Sequence, residues 1–445
     1  MDALTAARWQ MEVSLSFHMI FAAVGMAMPF MMLMAEGRWL RTGDPAALQL
    51  AKTWAKVTAV LFAIGAISGT ALSFELGLLW PTFMVFAGPM IGLAFALEAY
   101  AFFIEAIFLG LYLYGWDRLR PSVHWLCGWP VALSGTASGI LVVSANGWMQ
   151  GPVGFTLGPD GMPTEVDPLA ALFNPAWGLM ATHSTLSTYQ AVGFAAAGTY
   201  ARALRGAYNR LAVTIALMLG GSTALIQPLV GDLLARRAHE AQPAKLAAME
   251  AQFRTERGAP LRIGGWPDPE SMQTSWVIEI PSGLSLLATQ DPQGEVLGLE
   301  AFPRDEWPET RVVHPAFQVM VGAGFTMLGV AVWYWLARWR DHRHGLDWTR
   351  RGWLLRALII SGPLGFIALE AGWIVTEVGR QPWVVYGVMR TRDAVTPVTA
   401  VGASLAGFAV LYGALAITLV WLLSRLAASE QEPASGEYGA RHAPL

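Results

Sequence analysis

Cysteine is almost absent: Cys127 is the only one in 445 residues. One thiol excludes an intrachain disulfide, a thiolate-held iron–sulfur cluster and a CxxCH haem attachment. Charge is scarce too. Asp, Glu, Lys and Arg make up 14% of the chain, against about 25% in a typical soluble domain. The formal net charge of −3 gives no reason to expect a nucleic-acid partner. These shortages exclude an ordinary soluble enzyme, a disordered protein and a secreted disulfide scaffold. What is abundant is apolar: 54% of residues are hydrophobic and the mean hydropathy is +0.43. Twenty Trp, against 10 Tyr, suit a protein that meets a lipid–water boundary repeatedly.

Apolar stretches near the 20-residue length of a bilayer crossing recur along the chain. Nine are read, at about 9–35, 55–80, 89–114, 123–145, 177–200, 211–230, 315–337, 353–376 and 398–423. The expected fold is an all-α polytopic membrane protein of about nine transmembrane helices. Its parts are helices 1–6 in residues 1–230, an external loop at 231–314, helices 7–9 in 315–425, and a disordered cytoplasmic tail at 426–445. The first span is not read as a cleaved signal peptide: its apolar run is too long and Asp2 precedes it. Lys and Arg set the orientation. Arg38, Arg41, Lys52 and Lys56 follow span one, Arg118 and Arg120 span three, and Arg202, Arg205 and Arg210 span five. Arg338, Arg340, Arg343, Arg350 and Arg351 follow span seven, whereas the short loops after spans two and four carry none. The N-terminus is therefore expected outside and the C-terminus in the cytoplasm.

The external loop opens with a helical-looking stretch, residues 243–257, and continues into Gly, Pro and Trp turns such as GGWPDP at 264–269. A structureless loop of this length is unusual unless it is functional, although a passive connector stays open. Gly65–Gly69 and Gly135–Gly139 are GxxxG pairs, read as sites of close helix packing.

An ionisable residue inside a span is costly and is a functional candidate by default. The candidates are Glu12, His18, Glu75, Glu98, Glu105, His183, Glu370 and Glu377. No span holds two His, which excludes a four-helix bundle with two bis-His haems. A His on one helix with a Met on another remains open, and that pair suits a low-spin haem; Met320 is placed like His183, near the outer end of its span. His18 either serves chemistry or bonds a neighbour. Glu98 and Glu105 are seven apart, on one face of one helix. They form either a proton relay or a pair bonded to backbone and hydroxyls. Arg380 follows Glu377 by three residues. The two form either an anion-binding site in a partly dry setting or a surface ion pair.

Taken with GWDRL at 115–119, ANGWMQ at 145–150, KLAAMEA at 245–251 and GRQPW at 379–383, these residues resemble subunit I of the cytochrome bd quinol oxidases over nearly the whole chain. That resemblance implies a set of roles. His183 and Met320 match the axial ligands of a low-spin haem b. His18 and Glu377 match the iron ligands of a di-haem oxygen site. Glu105 matches the carboxylate of a proton path, with Glu98 as its partner. Lys245 and Glu250 match the quinol-contacting pair of the external loop, the Q-loop. Arg380 matches an Arg near the haems, and Trp383 of GRQPW is grouped with the cofactor-binding residues. The cofactors implied are two haem b, one low-spin and one high-spin, and one haem d, or haem b in its place. The partners implied are quinol, O2, membrane lipid, a large subunit II and, as an allowance, a small single-span subunit. The implied location is the bacterial inner membrane. The short Q-loop and the style of SFELGLLWP and LEAYAFFIEA look like the cyanide-insensitive branch. Two departures stand out. Gln318 occupies a position where some members carry Arg, and Glu75 takes the place of an acid found at the position of Ser73; no role is carried onto Glu75.

The implied reaction oxidises quinol outside and reduces O2 to water with cytoplasmic protons, generating proton motive force without a pump. The rival class is a proton-coupled secondary transporter, which predicts inverted repeats and midplane binding residues. No internal repeat is evident, and the ligand-type residues gather toward one face. A partner subunit without redox centres is the third reading.

Overall fold

The computed structural model describes residues 2–204, 206–398 and 400–429, apart from the side chains of 427–429. Arg205 and the tail from 430 onward lie outside the described residues.

The chain opens with four long helices, α1 (Ala3–Thr42), α2 (Pro45–Leu79), α3 (Pro81–Tyr114) and α4 (Pro121–Gln150). Their boundaries are written locally. Asp2 caps α1 by accepting from the Thr5 amide, and Asp44 caps α2 through the Ala46 amide. Pro begins α2, α3 and α4, where its missing N–H costs nothing. Gly43, at a left-handed φ of 67°, closes α1. A short hairpin, β1 (Thr156–Leu157) with β2 (Pro163–Thr164), and α5 (Pro168–Leu172) lead to α6 (Trp177–Arg202) and α7 (Gly206–Ala241).

The loop region then folds as α8 (Pro243–Met249), β3 (Glu256–Arg257), β4 (Leu261–Asp268), β5 (Gln273–Ile280), α9 (Gly283–Thr289) and β6 (Glu295–Val296). It pairs β3 with β6 and β4 with β5, both antiparallel. Next come α10 (Thr310–His344), α11 (Gly352–Ser361) and α12 (Leu364–Val378). Strands β7 (Trp383–Val385) and β8 (Met389–Arg390), α13 (Thr391–Ala394) and α14 (Val401–Ser429) complete the described chain.

Eight spans among the described residues are long and apolar enough to cross a membrane, with α11 and α12 counted as one. The ninth expected span is α6. Its 26 residues reach about 39 Å, enough for a crossing. His183, Ser184, Thr185, Ser187, Thr188 and Gln190 leave it less apolar than the others. Most helices run past the apolar stretches read from the sequence: α1 begins at Ala3 and ends at Thr42, α2 begins at Pro45 and α3 at Pro81. Helix α7 continues to Ala241, past the expected end at 230, and α10 starts at Thr310, before Pro315. The helix expected over 243–257 ends at Met249. There Ala251 turns to a φ of +50° and the Gln252 amide bonds back to the Ala247 carbonyl at 2.8 Å, a helix-stopping turn that propensity alone does not reveal.

Consecutive long helices run antiparallel, so α1 packs parallel to α6 and α14. At the end where α1 finishes, Glu36 accepts from the Tyr112 hydroxyl at 2.6 Å and faces His124 Nδ1 at 2.7 Å, tying α1, α3 and α4 together without solvent contact. Trp54 Nε1 donates to Tyr200 there, and Arg351 grips Asp341. Helices α6 and α7 touch backbone to backbone: a Cβ on Gly193 would lie 2.6 Å from Gly220 Cα. A core including Met31, Met32, Phe194, Leu217 and Tyr334 fills this half of the bundle. The opposite half encloses a cavity.

Candidate functional site

Helices α1, α2, α3, α4, α6, α7, α10 and α12 surround a cavity of about 1460 Å3, and the loop region covers one side of it. An ordinary ligand cleft holds roughly 300–1,000 Å3. Into its wall come His18, His183 and Met320, together with Glu98, Glu105, Lys245 and Glu250. Seven of the ten singled-out residues thus meet in one space. Glu377 and Arg380 stand just behind it, Glu377 bonded to the lining residue Asn146, while Trp383 is not among the lining residues.

The His18 ring lies on α1 with Nδ1 3.1 Å from Ser68 Oγ. Gly69 leaves room for it, since a Cβ there would lie 2.8 Å from His18 Cε1. Each GxxxG glycine therefore has its own neighbour: Gly65 admits Phe21, Gly69 admits His18, Gly139 admits Met26, and Gly135 admits the carboxyl of Glu105. His183, on the first turns of α6, has the Gln227 amide nitrogen 3.2 and 3.3 Å from its two ring nitrogens. Met320 Sδ faces Gly372, where a Cβ would approach to 2.9 Å. This donor set fits haem. Two imidazoles and a thioether open onto one space of sufficient size, and a glycine lies against each: Gly69 by His18, Gly231 by His183 and Gly372 by Met320. His with Met is also a recognised low-spin pair.

Glu377 has both oxygens occupied. Asn146 Nδ2 donates to one and Arg380 to the other. This is a buried pair rather than a surface one, for the Arg380 side chain is 1% exposed. Its Nε and Nη1 remain without partners, donors suited to a further carboxylate. Trp383 sits on β7 with Arg390 over its ring.

Glu98 accepts from Ser138 at 2.9 Å, while Glu105 Oε1 is buried without a partner. The hydroxyl-bonded alternative thus describes Glu98, while Glu105 Oε1 stays unpartnered.

Lys245 lies under the loop, not on its surface. Nζ donates to Gln150 Oε1 at 3.1 Å and to the Thr376 carbonyl at 3.2 Å. Burial pulls its ammonium down to about 7, helped by nearby Arg380 and opposed by Glu377. Burial pushes the Glu250 carboxyl up to about 8, against the pull of Arg262. Its Oε2 has no partner.

Asn146, Gln150, Gln227 and Arg262 escape the sequence reading, which looks for ionisable residues within spans. Three of them are neutral amides in apolar helices, and Asn146 and Gln150 sit four apart within ANGWMQ. That spacing is a usable signal.

The family model described as cytochrome bd terminal oxidase subunit I matches residues 6–431. A Bacillus subtilis (strain 168) protein with the provisional name cytochrome bd menaquinol oxidase subunit I is 37% identical over 438 residues, 95% of this chain and 96% of its own. Cytochrome bd-II ubiquinol oxidase subunit 1 of Escherichia coli (strain K12) is 28% identical, with 96% of each chain covered. The solved bd oxidase from Geobacillus thermodenitrificans aligns with a TM-score of 0.89 at 37% identity, over 97% of this chain and 99% of that one. Matches this extensive, in sequence and in fold, set aside the transporter reading. The chain belongs to the cytochrome bd terminal oxidase subunit I family, a multi-pass membrane subunit of a haem-containing respiratory quinol oxidase that works with a subunit II.

Proposed function

We propose that this subunit oxidises quinol beneath its external loop, residues 231–314, and reduces O2 to water within the same cavity, using cytoplasmic protons and no pump. The observation that carries this reading is the convergence of His18, His183 and Met320 with Lys245, Glu250, Glu98 and Glu105 on one cavity wall. Basic residues of four loops gather at the opposite end of the bundle, which supports an external loop region and a bacterial inner-membrane location.

Bound haem supplies the electron transfer and the oxygen chemistry. His183 and Met320 would hold the low-spin haem b. His18 would hold one haem of the oxygen-reducing pair, and Glu377 the other if Asn146 or Arg380 yields. The complement is two haem b with haem d, or haem b in its place. Arg380, with two N–H groups lacking partners, would donate to a carboxylate of the cofactor, and Trp383, three residues on, would join that side of the cofactor site. Lys245 and Glu250 bind the quinol hydroxyls, and Glu250 Oε2 accepts a proton as the quinol is oxidised. Glu105 Oε1 holds a proton from the cytoplasmic side and passes it toward Glu98, two helical turns away. Protons enter and leave on opposite sides, which separates charge without pumping. Subunit II completes the complex, with an allowance for a small single-span subunit.

The test is a reduced-minus-oxidised spectrum and pyridine-haemochrome assay on the purified complex, run beside a quinol oxidase assay. Haem b signals with quinol-dependent O2 consumption are expected. A complex free of haem would overturn the reading.

A further inference from the structure

His314 closes the external loop in sequence, just ahead of an apolar run. It is fully buried in the first turns of α10, with Nδ1 2.7 Å from the Met249 carbonyl and Nε2 3.0 Å from the Gly264 carbonyl. Both partners are backbone carbonyls, so the ring sits between two acceptors, one on α8 and one on β4. One turn along α10, Gln318 reaches the same strand. Its Oε1 accepts from the Gly264 amide at 3.0 Å, and its Nε2 donates to the Arg262 carbonyl at 2.9 Å. The amide thus pairs with the edge of β4 as a neighbouring strand would.

These four contacts fall on the residue before Glu250 and on β4. Met249 immediately precedes Glu250. The Arg262 side chain, carried by the clamped strand, donates to Gln252, two residues after Glu250, and its Nε is 3.0 Å from Glu279. Glu250 is therefore bracketed on both sides by groups whose positions α10 sets. Arg262, Ile263 and Gly264 also line the cavity beside Glu250. Gly264 holds a left-handed φ of 69°, which an L side chain rarely adopts.

We propose that His314 and Gln318 are positioning residues for quinol oxidation: together they clamp the β4–β5 hairpin and the Glu250 turn onto α10 and so set the shape of the quinol site. The inference rests on the reading of Glu250 as a quinol-site residue. Neither side chain needs to touch the substrate. The clamp acts by placing Glu250 and the hairpin wall, so its loss weakens quinol binding more than the later steps.

The test uses the complete purified oxidase with duroquinol as substrate, comparing His314→Phe, Gln318→Leu and Glu250→Gln with the parent. Loss of the buried His314 link in His314→Phe, and of the paired amide in Gln318→Leu, is expected to raise KM about three- to tenfold, with kcat within about twofold. The reduced-minus-oxidised spectrum should stay unchanged in both, which separates misplacement from misfolding. Should His314→Phe fail to assemble, Gln318→Leu carries the test alone. Unchanged KM in the assembled clamp variants, or a kcat loss at constant KM, overturns the proposal. The Glu250→Gln arm separates the two failures. If Glu250→Gln alters quinol kinetics while the clamp variants do not, only the clamp is wrong; if Glu250→Gln is silent as well, the quinol-site reading falls.

Discussion

Glu250 and Lys245 lie five residues apart, and burial moves them toward each other: the acid up to about 8, the base down to about 7. A proton acceptor must be ionised to work. Below about 8 the neutral form of Glu250 dominates, so quinol oxidation should accelerate as pH rises through that value. Glu250→Gln should abolish this rising limb and lower kcat on the order of 100-fold, measured with saturating quinol across pH 6–9. A profile that keeps its limb in the variant would assign the titration elsewhere. The two cavity acids call for a different measurement. Glu105→Gln should leave reduction of the haems by quinol at its normal rate while slowing O2 consumption by roughly 10- to 100-fold, separable by stopped-flow spectroscopy. Glu98 and Glu105 are legible in the sequence because each is a charge in an apolar run, an expensive exception that calls for a reason, whereas Lys245 and Glu250 stand out only through the KLAAMEA motif of the family resemblance. Asn146, Gln150 and Gln227 are not legible in the same way. A neutral amide costs far less to bury, and its meaning comes from its partner, Glu377, Lys245 or His183, which sequence distance conceals.

At the scale of elements, capping and hydropathy specify the long helices with little ambiguity: Asp2, Asp44, Gly43 and the helix-opening prolines mark ends that the apolar runs only approximate. The loop region is harder to read. The stretch from Pro243 reads as one helix by composition, yet it stops at Met249 because Ala251 reverses the backbone and the Gln252 amide returns to Ala247. The tertiary setting, not propensity, decides where Glu250 points. Glycine spacing is likewise legible as close packing, but not for whom the room is kept. Gly69→Val should displace the His18 ring and remove or shift the spectral signature of the haem held there. The helical content by circular dichroism should remain, since overpacking at one position costs roughly 1–3 kcal/mol. An unaltered haem spectrum in that variant would mean that His18 holds no iron.

The whole molecule presents one polar, loop-covered end and one basic end, and its orientation can be read with the help of its scarcest residue. Replacing Cys127 by Ser leaves a chain without thiols. In that background, Trp276→Cys on the β4–β5 hairpin, where the native side chain is 90% exposed, should react with a membrane-impermeant maleimide applied from outside. Arg343→Cys, at the other end of α10, should react only after the membrane is opened. The reverse pattern would invert the topology and, with it, the direction of proton use.

The bare contact between Gly193 and Gly220 also fixes where α6 and α7 come closest. His183 lies ten residues from it along α6, an arm of about 15 Å, and Gln227 seven residues along α7, about 10 Å. A rocking of α6 of only about 4° at that point would swing the imidazole by about 1 Å, a displacement large enough to alter a reactive geometry. Two residues without side chains, about 10–15 Å along the helices from the His183–Gln227 pair, thus bring the two helices that carry it into backbone contact.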